Sequence, residues 1–287
     1  MLTPSVADFT LDNGVYVPNK RPRHREDEYD EAGFDLLLRM QRDHFWYHGR
    51  HRLLLKVFQR ESQRLRGGPE NLRGIDLGGG CGGWLEYLHT HGRGQFAELA
   101  LADSSLRALS LAGPVVGRFA QRYQVDLLDL AWSEEWDVVF LLDVLEHIPD
   151  HLQVLKQVRK VLRPGGLLFV TTPALKVFWS YNDDLAHHQR RYSKQDLRDL
   201  TAPSQLALLR ADYFMFWLSP ALLLSRLLTR PAANASADEL QATLERTHRI
   251  PAPPINNFLK AVLATESGMI EHVKFPWGTS VLAVYQR

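Results

Sequence analysis

Cysteine is almost missing from this chain. Cys81 is its single example among 287 residues, which excludes an internal disulfide and argues against a cysteine-based zinc site within one chain. Long apolar runs are missing too: none approaches the roughly 18 residues that a membrane-spanning helix needs. The first residues, Met1 to Gly14, carry no basic stretch followed by an apolar one, so no secretory leader is expected and a cytoplasmic location is. Nor is one charge in surplus. Lys plus Arg number 34 against 33 Asp plus Glu, which leaves no basic field for nucleic acid and disfavours it as a partner. There is no internal repeat, no low-complexity tract and no feature that sets an oligomeric state. What is present, 45% apolar and 23% charged residues, suits one large α/β domain with additions.

Residues 1–30 mix prolines with charges of both signs, Lys20-Arg-Pro-Arg-His-Arg25 before Glu26-Asp-Glu28, and offer little to bury; they read as a weakly structured N-terminal segment. From 31 to 68 the pattern turns helical. Phe34, Leu37, Leu38, Trp46, Leu53, Leu54, Val57 and Phe58 recur at three- and four-residue spacings until Gly67-Gly68-Pro69. Strand and helix then alternate through a core at 69–217, with strands expected at Leu72–Leu77, Glu98–Ala102, Tyr123–Val125, Trp136–Leu142, Leu167–Thr172 and Gln205–Met215. Trp136–Leu142 is almost wholly apolar, which suits a strand covered on both faces. Residues 218–276 interrupt that rhythm with two helical patterns separated by Arg249-Ile-Pro-Ala-Pro-Pro254, and 277–287 supply a last strand. The fold class is therefore α/β: a Rossmann-like, doubly wound, seven-stranded sheet, mostly parallel with an antiparallel last strand, with N-terminal helices and a helical insertion before that strand.

The chemistry concentrates where the first core strand meets its helix, in Asp76-Leu-Gly-Gly-Gly-Cys-Gly82. Glycines there let a ligand approach backbone N–H groups and a helix N-terminus with no Cβ in the way. The local pattern fits two cofactor classes. Gly78, Gly80 and Gly83 satisfy the dinucleotide fingerprint G-x-G-x-x-G, while Asp76, Gly78, Gly80 and Gly82 satisfy D-x-G-x-G-x-G. Asp103, at the end of the second strand, would accept hydrogen bonds from ribose hydroxyls in either class.

Over residues 71–175 the ordered motifs GIDLGGGCGG, ALADSS, VDLLDL, WDVVFLLDVLEHIPD and VLRPGGLLFVTTP resemble the class I S-adenosylmethionine-dependent methyltransferases. The likeness is nearest to the branch of ubiquinone-biosynthesis O-methyltransferases and bacterial small-molecule methyltransferases. Dehydrogenases have no counterpart to LEHIPD or LRPGG. The resemblance implies S-adenosylmethionine as cofactor and S-adenosylhomocysteine as product. Asp76 would orient the methionyl amino group, and Gly78, Gly80 and Gly82 would line the cofactor with their backbone. Asp103, followed by Ser104, would take the ribose hydroxyls; Asp126 and Leu127 would bracket the adenine. Arg50 or Arg52 would hold the methionyl carboxylate, a task suited to a bidentate guanidinium. Asp143 would face the transferring methyl.

Because the sulfonium is already a good leaving group, catalysis is mostly in-line positioning. An oxygen acceptor also needs its proton removed, and His147 is the candidate base. His188, Arg191 and Tyr192, in a stretch similar to the family's His-x-Arg-Arg-Tyr, would touch the acceptor. No metal is assigned, although Asp143, Glu146 and His147 with His187 and His188 form the kind of carboxylate and imidazole set that holds Mg²⁺, Mn²⁺ or Zn²⁺. The apolar stretch Tyr213–Leu228 and Phe275-Pro-Trp277 would roof the site. They point to a small-molecule or lipid-linked acceptor and allow peripheral contact with a membrane. Two alternatives stay open here: an NAD(P)-dependent oxidoreductase using the same loop, and a non-catalytic cofactor-binding module.

Overall fold

The apolar run at Trp136–Leu142 lies beside the central strand of a nine-stranded sheet. The computed structural model describes residues 9–20, 22, 33–92, 94–228 and 249–287. In chain order its elements are β1 (Phe9–Asp12), β2 (Val15–Pro18), α1 (Gly33–Asp43), α2 (Phe45–Glu61), β3 (Leu72–Leu77), α3 (Gly83–His91), β4 (Phe96–Asp103), α4 (Leu106–Leu111), α5 (Gly113–Val116) and β5 (Gln121–Gln124). There follow β6 (Trp136–Leu142), α6 (His151–Val161), β7 (Leu162–Pro173), α7 (Tyr181–Leu185), α8 (Lys194–Asp199), α9 (Thr201–Ser204), β8 (Ala207–Phe214), α10 (Ser219–Leu228), α11 (Pro253–Met269) and β9 (Ser280–Gln286).

The strands lie in the order β1-β2-β5-β4-β3-β6-β7-β9-β8. Strands β3 to β7 pair in parallel, and β9 inserts antiparallel between β7 and β8. The seven expected strands are all present, the last of them antiparallel. Alternate residues of β6 feed two cores: Val138, Phe140 and Leu142 join one with α2 and α3, Val139 and Leu141 the other with α6. That division is why the segment reads as continuously apolar rather than alternating.

Two elements differ from expectation. Residues 9–18, inside the stretch expected to be weakly structured, form a hairpin that extends the sheet beside β5. Its turn is Asn13-Gly14, both at positive φ (49° and 76°), the two-residue geometry that matches strand twist. Val15 and Val17 are buried beneath it. Most of the rest of that stretch, and residues 229–248 of the helical insertion, lie outside the described residues. The second difference is at Arg163-Pro-Gly-Gly166, which ends α6 as expected but already belongs to β7. Gly165 takes φ 85° and donates to Arg287 O, which pins this irregular strand start to the chain end.

The insertion closes over the N-terminal helices. Asn256 Oδ1 accepts from Phe45 N (3.0 Å) and its Nδ2 donates to Asp43 O (2.8 Å), so α11 is anchored where α2 begins. At its other end Lys56 donates to Ser267 O and Gly268 O, satisfying helix C-terminal carbonyls with a cation. A Cβ on Gly49 would sit 2.4 Å from Leu263 Cδ1, so the two helices touch at a residue with no side chain. Among the described residues no helix is long and apolar enough to cross a membrane.

Candidate cofactor and acceptor site

One cavity of about 1270 Å³ runs across the carboxyl ends of the strands, beneath α1, α2, α10 and the start of α11. This is the edge at which open α/β sheets bind ligands. At one end lies the loop from β3 to α3. Gly78, Gly80 and Gly82 take φ of 70°, 54° and 80°, a region that L side chains avoid. Gly78 and Gly80 line the cavity; Gly82 does not, and serves as the left-handed N-cap of α3.

Asp103 locks that loop. Its Oδ2 accepts from Gly80 N (3.0 Å) and its Oδ1 from Ser105 N (2.9 Å), while Ser105 caps α4 by accepting from Ala108 N. Asp103 and Ser104 face the cavity. Asp126 and Leu127 also line it, with Asp126 Oδ1 accepting from Leu128 N (2.9 Å) in a local turn. Asp76 is 1% exposed and its Oδ1 has no hydrogen-bond partner. Burial, with Asp103 adding repulsion against the help of Arg50, pushes its carboxyl up to about 8.

Arg50 reaches in from α2 and pairs with Asp143 just beyond β6; Arg52 is exposed. Its guanidinium lies 4.9 Å from the Trp46 ring centre and 5.3 Å from that of Tyr47. Asp143 itself stands at φ 56°, a strained setting for a residue bearing a side chain.

Beyond Asp143, Glu146 is fully buried, and both of its carboxylate oxygens are without a partner. Burial first, then the nearby Asp143, holds its pKa well above the ordinary carboxylate range. The His147 and His188 rings are 4.7 Å apart. Burial, reinforced by His188, pushes His147 down to about 3. His188 Nδ1 is 2.9 Å from Asp183 Oδ1, and Arg191 grips the same carboxylate with two bonds of 2.7 and 2.9 Å. Burial would raise the Asp183 pKa, but His188 and Arg191 outweigh it and hold the carboxyl well below its usual value. One ligand atom from each of Glu146, His147 and His188 fits within 4.8 Å of the others, a separation that would suit a metal ion.

Arg191 is thus committed to Asp183 and to Ala174 O, although it borders the cavity. Tyr192 does not border it: its hydroxyl meets His151 Nδ1 (2.6 Å) and donates to Leu145 O (3.3 Å). Sequence reasoning missed His51 and Asp183. His51 sits on a mostly buried helix where nothing distinguishes a site residue from a core one, and Asp183 resembles the capping residue that it also is.

A family model described as a methyltransferase domain matches residues 39–211, more than half of the chain. The chain belongs to that family, within the class I S-adenosylmethionine-dependent methyltransferases. Among curated proteins, the ubiquinone biosynthesis O-methyltransferase of Bordetella avium is 30% identical over 112 residues, 38% of this chain and 46% of that one. The protein of the same name from Idiomarina loihiensis is 35% identical over 96 residues, 32% of this chain and 40% of that one. The chain thus spans less than half the length of these relatives. Among solved structures, a chain of the complex between the Haloferax volcanii Trm112 methyltransferase activator and a methyltransferase superposes with TM-score 0.56 at 17% identity. It covers 92% of this chain and 98% of that one, a likeness of fold.

Proposed function

We propose that this chain transfers the methyl group of S-adenosylmethionine to an oxygen of a small-molecule or lipid-linked acceptor. The observation that carries this reading is the continuity of one cavity, from the glycine loop and its three aspartates to His147 and His188. Asp76, ionised by the arriving ammonium, holds the methionyl amino group; Arg50 holds the carboxylate; Asp103 takes the ribose hydroxyls; Asp126 and Leu127 frame the adenine. Asp143 keeps Arg50 in place near the transferring methyl. An acceptor beneath α10 and α11, against Leu222, Ile250 and Leu259, then attacks the methyl carbon in line, and the catalytic contribution is chiefly orientation.

The environment of the two histidines argues against His147 as the base. A desolvated imidazole with pKa near 3 is neutral but reluctant to take a proton. His188 is better arranged, because the Asp183 carboxylate beside its Nδ1 fixes its tautomer and orientation. His147 then shapes the pocket wall. The reading is tested by incubating the protein with methyl-labelled S-adenosylmethionine and a panel of phenolic and hydroxylated acceptors, alongside titration with S-adenosylhomocysteine and NAD(P). Binding of the dinucleotide without S-adenosylhomocysteine would return the oxidoreductase alternative. Binding without transfer would favour the non-catalytic module.

A second reading is supported by the Glu146, His147 and His188 cluster. Orphaned carboxylate oxygens beside two imidazoles fit a divalent metal, and Asp183 behind His188 is the carboxylate that a metal-bound histidine commonly leans on. Such an ion would supply Lewis acidity to an acceptor oxygen.

A further inference from the structure

His51 follows Arg50 on α2 and is 1% exposed. Its Nε2 lies 3.1 Å from Arg50 Nη2. A guanidinium carries donors only, so Nε2 has to accept, and the ring must be the neutral tautomer with its proton on Nδ1. Burial and the adjacent Arg50 charge lower its pKa well below the ordinary histidine value, which keeps the ring in that state. Aromatic rings hold it on two sides: Trp84 at 5.6 Å and Tyr87 at 5.3 Å from α3, and Tyr47 at 6.1 Å from α2.

Arg50 is thus fixed by an acceptor on one arm and Asp143 on the other, yet its Nε is buried without a partner. Arg50 borders the cavity, and a buried guanidinium with a donor still unmatched gains from a further acceptor. We infer that His51 is a positioning residue for the cofactor: as a neutral acceptor it turns the Arg50 guanidinium so that its remaining donors meet the methionyl carboxylate. This rests on the cofactor role proposed above for Arg50. Neutrality is the essential point. Asp143 already sets one carboxylate against Arg50, and a second at position 51 would orient the guanidinium but cancel the charge that attracts a carboxylate.

The test compares binding of S-adenosylhomocysteine with that of 5′-methylthioadenosine, which keeps the nucleoside and sulfur but lacks the amino-acid end. His51→Phe is expected to weaken S-adenosylhomocysteine about tenfold, the order of a lost hydrogen bond to a charged group, and to leave methylthioadenosine within about twofold. His51→Gln, whose Oε1 can stand where Nε2 does, is expected to restore most of the loss. His51→Asn, too short to reach Arg50, should behave like His51→Phe and serves in its place if the latter does not fold. Equal weakening of both ligands, or no weakening of either, overturns the inference and leaves His51 as packing. If the unaltered protein prefers S-adenosylhomocysteine and Arg50→Ala removes the preference while His51→Phe and His51→Asn retain it, this inference alone fails. No preference in the unaltered protein overturns the cofactor reading and this inference with it.

Discussion

Arg50 and Asp143 form an ion pair that ties the roof of the cavity to its floor, from α2 above to the end of β6 below. Their side chains are 8% and 18% exposed, so the pair is shielded from solvent. Asp143 N donates to Thr171 O (2.8 Å), which holds the left-handed backbone that aims its carboxylate upward.

Removing one member of a shielded pair strands the other, at a cost of about 3 kcal/mol. Arg50→Ala and Asp143→Ala are each expected to lose stability on that scale in urea denaturation. The double variant should lose clearly less than the sum, the signature of direct coupling. Additive losses would mean that the two residues act separately.

On the proposed role of Asp76, cofactor binding depends on pH. Its folded pKa, about 8, lies far above the unfolded carboxylate value, so the folded protein holds a proton that the unfolded chain releases. The ligand-free protein therefore loses stability from this group as pH rises from about 4 towards 8. An ammonium group bound beside Asp76 needs the ionised form, so binding expels the proton. Affinity for S-adenosylhomocysteine should rise between pH 6 and 8, with proton release visible by calorimetry in buffers of different ionisation enthalpy. Asp76→Asn should flatten that slope.

Two glycines at similar φ separate backbone strain from steric room. Gly82 (φ 80°) would place a Cβ 2.7 Å from Val116 Cγ1, whereas a Cβ on Gly68 (φ 83°) meets nothing within 4 Å. Gly68→Ala should cost about 1 kcal/mol, the strain alone. Gly82→Ala should cost roughly 1–3 kcal/mol more through overpacking and should also weaken cofactor binding. Equal costs would show that α5 yields freely.

Burial, with Asp143 adding to it, favours the protonated form of Glu146 against the pull of Arg191 and Arg50. Glu146→Gln should therefore leave the melting temperature of chelator-treated protein nearly unchanged. If the second reading holds, Zn²⁺ or Mg²⁺ should raise the melting temperature of the unaltered protein but not of Glu146→Gln, and chelation should reduce turnover. Undiminished turnover after chelation would end the metal reading.

Much of this site was legible because it is local. A strand-end glycine loop with Asp76, and an acidic residue closing the next strand at Asp103, keep their spacing in the linear chain, since each is set by one strand and one turn. The hairpin at 9–18 was equally local and was passed over: Asn13-Gly14 flanked by Leu11, Val15 and Val17 is a turn signal, hidden by the charged residues that follow. Tyr192 lies away from the cavity for another reason. A motif match specifies the backbone position, but a side chain at a loop end can turn inward, and here the ring is buried beside α6.

The sequence by itself determined the parallel core, the glycine loop and the acidic residue at each strand end, because hydrophobic periodicity and backbone chemistry act over a few residues. The tertiary structure alone decided which of Arg50 and Arg52 enters the cavity, that His51 steers it, and that Asp183 pairs with His188 rather than with solvent. Those outcomes depend on how α2 and α3 pack and how the loop after β7 folds back on Glu146. Burial then sets charge: the Asp76 carboxyl and the His147 ring differ from any exposed counterpart because water has been removed from around them.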